Sequence, residues 1–242
     1  MPRPSQPRRP PRLLAPPPPH GDERRRQTPL RRPMASRLAC ALAVTVDYRI
    51  YHAINQFIYH HAWLGRGLNA LEKWAVPVIA VATFALWLLA RPGGTRKWKI
   101  ASACALGSAA LALLVNQMIG KLWHRQRPFA THPTAHVWGS RSHDPSFPSD
   151  HASAAFAIAF AVFLYDRVIG SIFLAAAAVI VVGRVFIGAH YPVDVLAGCL
   201  VGLASALLLA RVASPLIDRL VGLVERGTDP LLAPLWRLRI PH

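Results

Sequence analysis

Five long apolar runs follow the N-terminal region of this sequence, and they limit what the chain can fold into. Runs close to the roughly 20 residues that a helix needs to cross a bilayer occur at residues 74–90, 100–119, 152–165, 168–188 and 193–210. Backbone N–H and C=O groups in lipid must pair within the protein, which favours helices for such runs. The sequence therefore predicts an all-α, polytopic membrane helical bundle with about five spans, of which 152–165 is the shortest.

The N-terminal residues 1–37 are rich in arginine and proline and differ from the rest of the chain. Such a segment cannot bury a core, so we predict a disordered tail. An alternative start of translation at Met34 would remove most of it. The net charge of +17 does not indicate nucleic-acid binding, because this basic tail has no aromatic residue to interleave with its cations.

Residues 38–60 connect this tail to the apolar runs. The apolar stretch 38–46 has the length of a signal-peptide core, but no convincing cleavage site follows it. From Asp47 onwards, apolar side chains recur at helical spacing and predict an amphipathic helix: Ile50, Ile54, Phe57 and Ile58. This helix would either lie on the membrane surface or pack against the spans. We place a membrane domain at 38–213 and a cytoplasmic C-terminal tail at 214–242.

Three clusters of polar residues lie between the apolar runs. They are Lys121, Arg125 and Arg127; Ser149, Asp150 and His151; and Arg184, His190 and Asp194. Ser149 and Asp150 are favourable helix caps and Pro192 suits a first helical turn, so both histidines should lie at helix N-termini, which attract anions.

Basic residues near the spans predict the orientation of the bundle. Arg91, Arg96, Lys97 and Lys99 crowd one short loop, which the positive-inside rule places in the cytoplasm. The loops at 120–150 and 189–192 then lie outside. All three polar clusters would open on the extracytoplasmic face of the plasma (inner) membrane.

Histidines, a carboxylate and several cations on one face indicate phosphoryl transfer. His190 would attack phosphorus, and His151 would give a proton to the leaving oxygen and take one from water. Asp194, four residues after His190, would reach back to a ring nitrogen and select the tautomer.

The cations would hold the phosphate oxygens. Lys121, Arg127 and Arg184, together with Ser149, can donate hydrogen bonds to them. With cations this dense, we expect neither a metal ion nor another cofactor.

The three clusters resemble the signature of the type 2 phosphatidic acid phosphatases, written K-x6-RP, PSGH and SR-x5-H-x3-D. They match at residues 121–128, 148–151 and 183–194, and the resemblance spans about residues 50–210. One residue fewer separates Lys121 from Arg127, Asp150 replaces a glycine, and Gly183 replaces a serine.

Within that family the motif Phe147 to Ala152, with Asn116 and Gln117, looks like bacterial undecaprenyl-diphosphatases. The resemblance implies removal of the terminal phosphate of undecaprenyl (polyprenyl) diphosphate through a phosphohistidine, in recycling of the cell-wall lipid carrier. It implies that His190 is the nucleophile, His151 the proton donor and Asp194 the orienting acid. It also implies that phosphate is bound by Lys121, or by Arg125 in its place. The other phosphate-binding residues that it implies are Arg127, Ser149, Arg184 and the adjoining Asp150.

Other interpretations remain open at this stage. The substrate could be phosphatidate, phosphatidylglycerol phosphate or a shorter isoprenyl diphosphate. A non-enzymatic binder or transporter of anionic lipids would favour more polar or broken residues at mid-span than this sequence has. The outer loop contains possible zinc ligands, His132, His136, His143 and Asp144, but it has no helical pattern, so we favour a loop that admits substrate. The expected partners are the bilayer and a lipid phosphate, with no nucleic acid.

Overall fold

A computed structural model describes residues 34–90 and 96–237. Its described elements are helices: α1 Met34–His60, α2 Ala62–Leu89, α3 Arg96–Leu122, α4 Pro128–Thr131, α5 Asp150–Tyr165, α6 Arg167–Phe186, α7 Pro192–Val212 and α8 Ser214–Arg237. No strand occurs in these ranges, and the predicted all-α class is confirmed. Most of the predicted tail and Arg91 lie outside the described residues. Two compact units divide the chain, residues 1–40 and 41–242, and the helical bundle belongs to the second.

Four of the helices, α2, α3, α6 and α7, are long and apolar enough to cross a membrane. The remaining apolar run forms α5, which is 16 residues long. It packs against α3, α6 and α7 at the centre of the bundle. The neighbouring helices cover most of α5, so it can be shorter than the bilayer without leaving its ends exposed to lipid.

Small residues let α7 approach α5 closely. Gly198 and Gly202 are separated by three residues, a spacing that brings helix backbones together in membranes. A Cβ atom at Gly202 would lie 2.6 Å from the carbonyl oxygen of Ser153, and one at Gly198 would lie 2.7 Å from that of Ser149. This approach brings the N-terminal ends of α5 and α7, which carry the second and third polar clusters, side by side.

The opposite end of the bundle is held by charges. Trp98 Nε1 at the start of α3 donates to Asp166 Oδ2, between α5 and α6, at 3.0 Å. Lys99 Nζ lies 2.6 Å from Asp229 Oδ1 on α8. Residues 214–237, predicted as a tail, are therefore helical and tied to the start of α3.

The buried face of α1 agrees only in part with the predicted one, since Ile54 and Ile58 are packed inside and the other two predicted residues are not. Tyr51 and Ile58 are fully buried, whereas Ile50 and Phe57 are exposed by 47% and 54%. Within the second unit, α1 packs against the helices of the bundle, which is one of the two arrangements that the sequence allowed. Its buried face includes Asp47, a polar residue that apolar periodicity does not detect.

Asn55 explains part of this orientation. Its Nδ2 donates to the carbonyl oxygen of His136 at 2.8 Å, and its Oδ1 accepts from the N–H of His136 at 2.9 Å. Gly188 packs against the same segment, and its φ is 82°. A Cβ atom at this position would lie 2.1 Å from the carbonyl oxygen of His136. Glycine meets both demands, because it has no Cβ and adopts positive φ without strain. The outer loop is thereby joined to α1 and to the chain just before His190.

The close approach of α7 to α5 predicts the sign of two matched substitutions. Gly202→Ala should lower the free energy of unfolding by about 1–3 kcal/mol, because its Cβ would meet backbone atoms that cannot move aside. Gly227→Ala, where no atom lies within 4 Å of the added Cβ, should raise it by up to about 1 kcal/mol through helix propensity. Thermal unfolding in detergent measures both. Equal shifts of the two variants would contradict the close packing.

Candidate active site

His190 lies in the short segment between α6 and α7, and its side chain is almost completely buried. Its Nδ1 lies 2.8 Å from the backbone oxygen of Ser146. Because a carbonyl oxygen only accepts hydrogen bonds, Nδ1 carries the proton of the neutral ring. The other ring nitrogen, Nε2, is then an unprotonated lone pair.

Two guanidinium groups face that lone pair. Arg184 Nη2 lies 3.1 Å and Arg127 Nη1 lies 3.4 Å from His190 Nε2. Burial, followed by the charges of Arg184 and Arg127, lowers the pKa of His190 well below its ordinary value. His190 is therefore neutral at physiological pH and can act as a nucleophile.

Asp194 acts on His190 through an intermediate residue. Its Oδ2 lies 3.9 Å from His190 Nδ1, so the predicted direct hydrogen bond is replaced by the Ser146 carbonyl. The reason is competition, since the same Oδ2 accepts from Ser146 Oγ at 2.5 Å and from the N–H of Tyr191 at 3.0 Å. Asp194 thus positions Ser146, and Ser146 positions the imidazole.

Arg125 joins two buried carboxylates. Its Nη1 lies 2.6 Å from Asp194 Oδ1, and its Nη2 lies 2.7 Å from Asp47 Oδ2. Its guanidinium carbon lies 4.0 Å from the ring centroid of Tyr191. Burial lowers the pKa of Arg125, but Asp194 and Asp47 outweigh it and raise the value. The structure therefore gives Arg125 a supporting contact, where the sequence suggested it as an alternative phosphate ligand.

The second cluster lies at the start of α5. The N–H of Ser149 donates to the backbone oxygen of Asp194 at 3.0 Å, which joins this cluster to the third. Asp150 Oδ1 accepts from Asn116 Nδ2 at 2.8 Å. The hydroxyl of Ser149 is buried and has no hydrogen-bond partner within the described part of the chain.

A cavity of about 610 Å³ lies beside His190. The predicted residues that line it are Arg127, Asp150, His151, Arg184 and His190. Arg184 Nε is buried and, among the residues that the structure describes, has no partner. Arg184 Nε is thus a buried donor left free beside a neutral imidazole, an arrangement suited to an anion. The predicted ligand Ser149 is not among the residues that line this cavity.

Lys121 is not brought to His190. It is exposed at the end of α3 and lines a neighbouring cavity of about 180 Å³. Asp144 and Asp150 line both cavities. Of the predicted cationic ligands, Arg127 and Arg184 face the cavity beside His190, while Lys121 lies in the next one.

Glu72 is a site residue that the sequence analysis missed. It belongs to α2, lines the cavity, forms an ion pair with Arg184 and lies 3.1 Å from His151 Nε2. It is the one acidic residue of α2, and an ionisable residue in a membrane helix is itself a functional signal. Ser146 carried no such signal, because serine is common in loops.

The possible zinc ligands of the outer loop do not converge. His132 stacks on Tyr48 and His136 on Tyr59, with ring centroids 3.8 and 3.7 Å apart. In residues 34–90 and 96–237, no three His, Cys, Asp or Glu residues are placed to hold a metal ion. These imidazoles instead pack the loop against α1.

The arrangement can carry out phosphoryl transfer. A neutral imidazole nitrogen, a second histidine and two guanidinium groups meet at one cavity. Guanidinium groups match phosphate oxygens in shape and charge, and a fixed imidazole can form a covalent phosphoryl intermediate.

Comparison with known proteins identifies the family of the chain. The sequence profile of the PAP2 superfamily matches residues 101–217. Undecaprenyl-diphosphatase BcrC of Bacillus subtilis (strain 168) is 30% identical over 183 residues, covering 74% of this chain and 92% of the relative. The putative undecaprenyl-diphosphatase YbjG of Escherichia coli (strain K12) is 35% identical over 133 residues, covering 54% of this chain and 63% of the relative.

A solved structure shares the fold. The transmembrane PAP2 type phosphatidylglycerolphosphate phosphatase from Bacillus subtilis superposes with a TM-score of 0.53 at 19% identity, covering 70% of this chain and 85% of that one. Its low identity limits the likeness to architecture. Together with the match to BcrC over nearly its whole length, these findings show that the chain is a multi-pass membrane protein and belongs to the PAP2 phosphatase superfamily.

Proposed function

We propose that this protein removes the terminal phosphate of undecaprenyl or another polyprenyl diphosphate through a phosphohistidine on His190. The observation that carries the mechanism is the state of His190 itself. Its Nδ1 is held by a carbonyl oxygen, and its neutral Nε2 faces Arg184 and Arg127 in a cavity. No metal ion takes part in the proposed reaction, since these cations and the free donors supply the charge stabilisation.

In the first step His190 Nε2 attacks the terminal phosphorus. The bond from phosphorus to the bridging oxygen breaks, and His151 gives its proton to that oxygen. Arg127 and Arg184 bind the equatorial oxygens. The carbonyl of Ser146 keeps the Nδ1 proton in place, which stabilises the positive charge that develops on the attacking ring.

In the second step water attacks phosphorus on the opposite side from Nε2. His151 takes the proton from this water as the phosphorus–nitrogen bond breaks. Inorganic phosphate leaves and Nε2 regains its lone pair. The proton on His151 returns the site to its starting state.

The name of the relative that matches over most of its length supports a prenyl diphosphate as substrate. The site itself supports any phosphate on an apolar tail, so phosphatidate and phosphatidylglycerol phosphate are the second candidate substrates. Their phosphate esters would meet the same nucleophile and cations. Substrate comparison separates the two candidates.

We further propose that the site opens on the extracytoplasmic face of the plasma membrane. The charged groups that pair with α8 and Asp166 lie at the other end of the bundle, among them Arg96, Lys97 and Lys99. Lysine and arginine in short loops favour the cytoplasm. The end that carries His190 would then face outwards.

Phosphate release by the detergent-purified protein tests the proposal. Release from undecaprenyl diphosphate in the presence of EDTA should fall by about 10³-fold or more in His190→Ala, because the nucleophile is lost. Arg219→Ala, an exposed cation of α8, should leave the rate unchanged. Release from phosphatidate alone would keep the mechanism and change the substrate. Absence of release from both lipids would contradict the enzyme.

The cations of the first motif should differ in importance. Arg127→Ala should lower kcat/KM by about 10²–10³-fold, as for removal of a donor to the transition state. Lys121→Ala should cost about tenfold or less, because Lys121 lines the neighbouring cavity. Steady-state kinetics on one lipid substrate measures both variants. A larger loss for Lys121→Ala would contradict the position assigned to the phosphate.

The acidic limb of the pH profile, where activity falls as the pH drops, should lie below the ordinary pKa of histidine. His190 must be neutral to attack, so kcat/KM falls as pH drops through the pKa of His190 in the free enzyme, which is lowered well below its ordinary value. Arg127 contributes to that lowering of the pKa. On acidification, the residual activity of Arg127→Gln should therefore begin to fall at a higher pH than the activity of the wild type. Values of kcat/KM from rates at low substrate concentration, between mildly acidic and neutral pH, check this. An acidic limb at or above 6.5 in the wild type would contradict it.

A further inference from the structure

The carboxylate of Glu72 is nearly buried in the cavity beside His190, at a side-chain exposure of 11%. It comes from α2, a helix that carries none of the three polar clusters. A carboxylate in a site for phosphate repels the substrate, so its presence requires a compensating role. Its contacts indicate what that role is.

One oxygen of Glu72 meets two groups of the proposed mechanism. Glu72 Oε1 lies 3.1 Å from His151 Nε2, and the same oxygen pairs with Arg184 Nη1. Arg184 Nη2 faces His190, and Arg184 Nε is left without a partner in the described residues. Glu72 therefore occupies one edge of Arg184 and leaves a donor free for phosphate.

We propose that Glu72 is the positioning residue of His151: it accepts the Nε2 proton, directs Nδ1 towards the reacting oxygens, and stabilises the imidazolium form that donates a proton. The inference rests on the proposed phosphohistidine mechanism, in which His151 is the acid and then the base. A carboxylate that holds one nitrogen of a proton-transferring imidazole fixes its tautomer and favours its charged form.

The surroundings of His151 explain why it needs such a partner. The charged and titratable groups that share its cavity are Glu72 and Lys73 on α2, Arg127 and Asp144 on the outer loop, Asp150 on α5, Arg184 on α6, and His190. Burial and the cations disfavour a proton on His151, whereas the carboxylates favour it. Glu72 is the carboxylate at ion-pair distance from the ring.

The need for an acid depends on the leaving group. An alkoxide leaving from a lipid monoester is strongly basic and requires a proton, whereas 4-nitrophenolate leaves without one. A defect in His151 should therefore be large for phosphatidate and small for 4-nitrophenyl phosphate. Loss of a phosphate ligand such as Arg184 would instead raise KM for both substrates.

Glu72→Gln keeps the shape of the side chain and removes its charge. We expect kcat/KM on phosphatidate, which covers the steps up to departure of the leaving group, to fall by about tenfold or more, with kcat/KM on 4-nitrophenyl phosphate within about threefold of wild type. The acid must be protonated, so activity falls as pH rises, and removing the carboxylate should move this basic limb to lower pH by about one unit or more. Glu72→Asp keeps the charge, so its basic limb should lie between that of Glu72→Gln and that of the wild type.

Asp218→Asn is the matched control. This carboxylate pairs with Arg96 at the other end of the bundle, and its side chain is half exposed. Kinetics and the basic limb should both match the wild type. Equal losses of Glu72→Gln on the two substrates, or an unmoved basic limb, would overturn the proposal.

A second measurement does not depend on turnover. Diethyl pyrocarbonate modifies neutral imidazole, and the His151 side chain is 38% exposed to the cavity. Mass spectrometry of the peptide that carries His151 should show half-maximal modification at a pH about one unit lower in Glu72→Gln than in wild type. An unchanged midpoint would overturn the inference.

These tests separate the inference from the proposed function. If phosphatidate is hydrolysed and undecaprenyl diphosphate is not, the proposed substrate fails while the Glu72 experiment proceeds unaltered. If neither lipid is hydrolysed, the proposed function fails. The modification midpoint of His151 still decides whether Glu72 controls its protonation.

Discussion

The buried carboxylate of Asp194 is the group on which the rest of the site depends. A charge without solvent is costly unless it is paired and hydrogen-bonded. Asp194 meets this need with Arg125, the hydroxyl of Ser146 and the N–H of Tyr191. Each partner then fixes something else: Ser146 holds the ring of His190, and Arg125 holds Asp47 on α1. The imidazole of His190, the proposed nucleophile, is thus oriented by the same bonds that make the buried charge tolerable.

Packing at the centre of the bundle complements this network. The glycines of α7 bring it against α5, so Ser149, just before α5, comes within backbone hydrogen-bonding distance of Asp194 in the first turn of α7. Small side chains thereby determine how near His151 and His190 can be. Charged groups at the other end hold α8 against α3 and leave the cavity end free of that helix.

The helical class and the histidine and arginines that meet His190 at the cavity could be predicted, because apolar runs and motif spacings are local properties of a sequence. The position of Lys121 and the partners of Arg125 could not, since both depend on how the loop before α5 folds back. Glu72 and Asp47 lie far from the motifs in sequence and meet them only in the bundle. The serine missing at Gly183 does not reflect crowding, because a Cβ there would meet no atom within 4 Å.

The contact between α1 and α7 has a consequence for synthesis of the chain. Asp47 Oδ1 accepts from the N–H of Val193, across a separation of 146 residues, and shares Arg125 with Asp194. Asp47 leaves the ribosome long before either partner on α7 exists. Non-local contacts of this kind form late in folding. A nascent chain therefore lacks the groups that orient His190 until α7 has been inserted, so the proposed activity begins only when the bundle is complete.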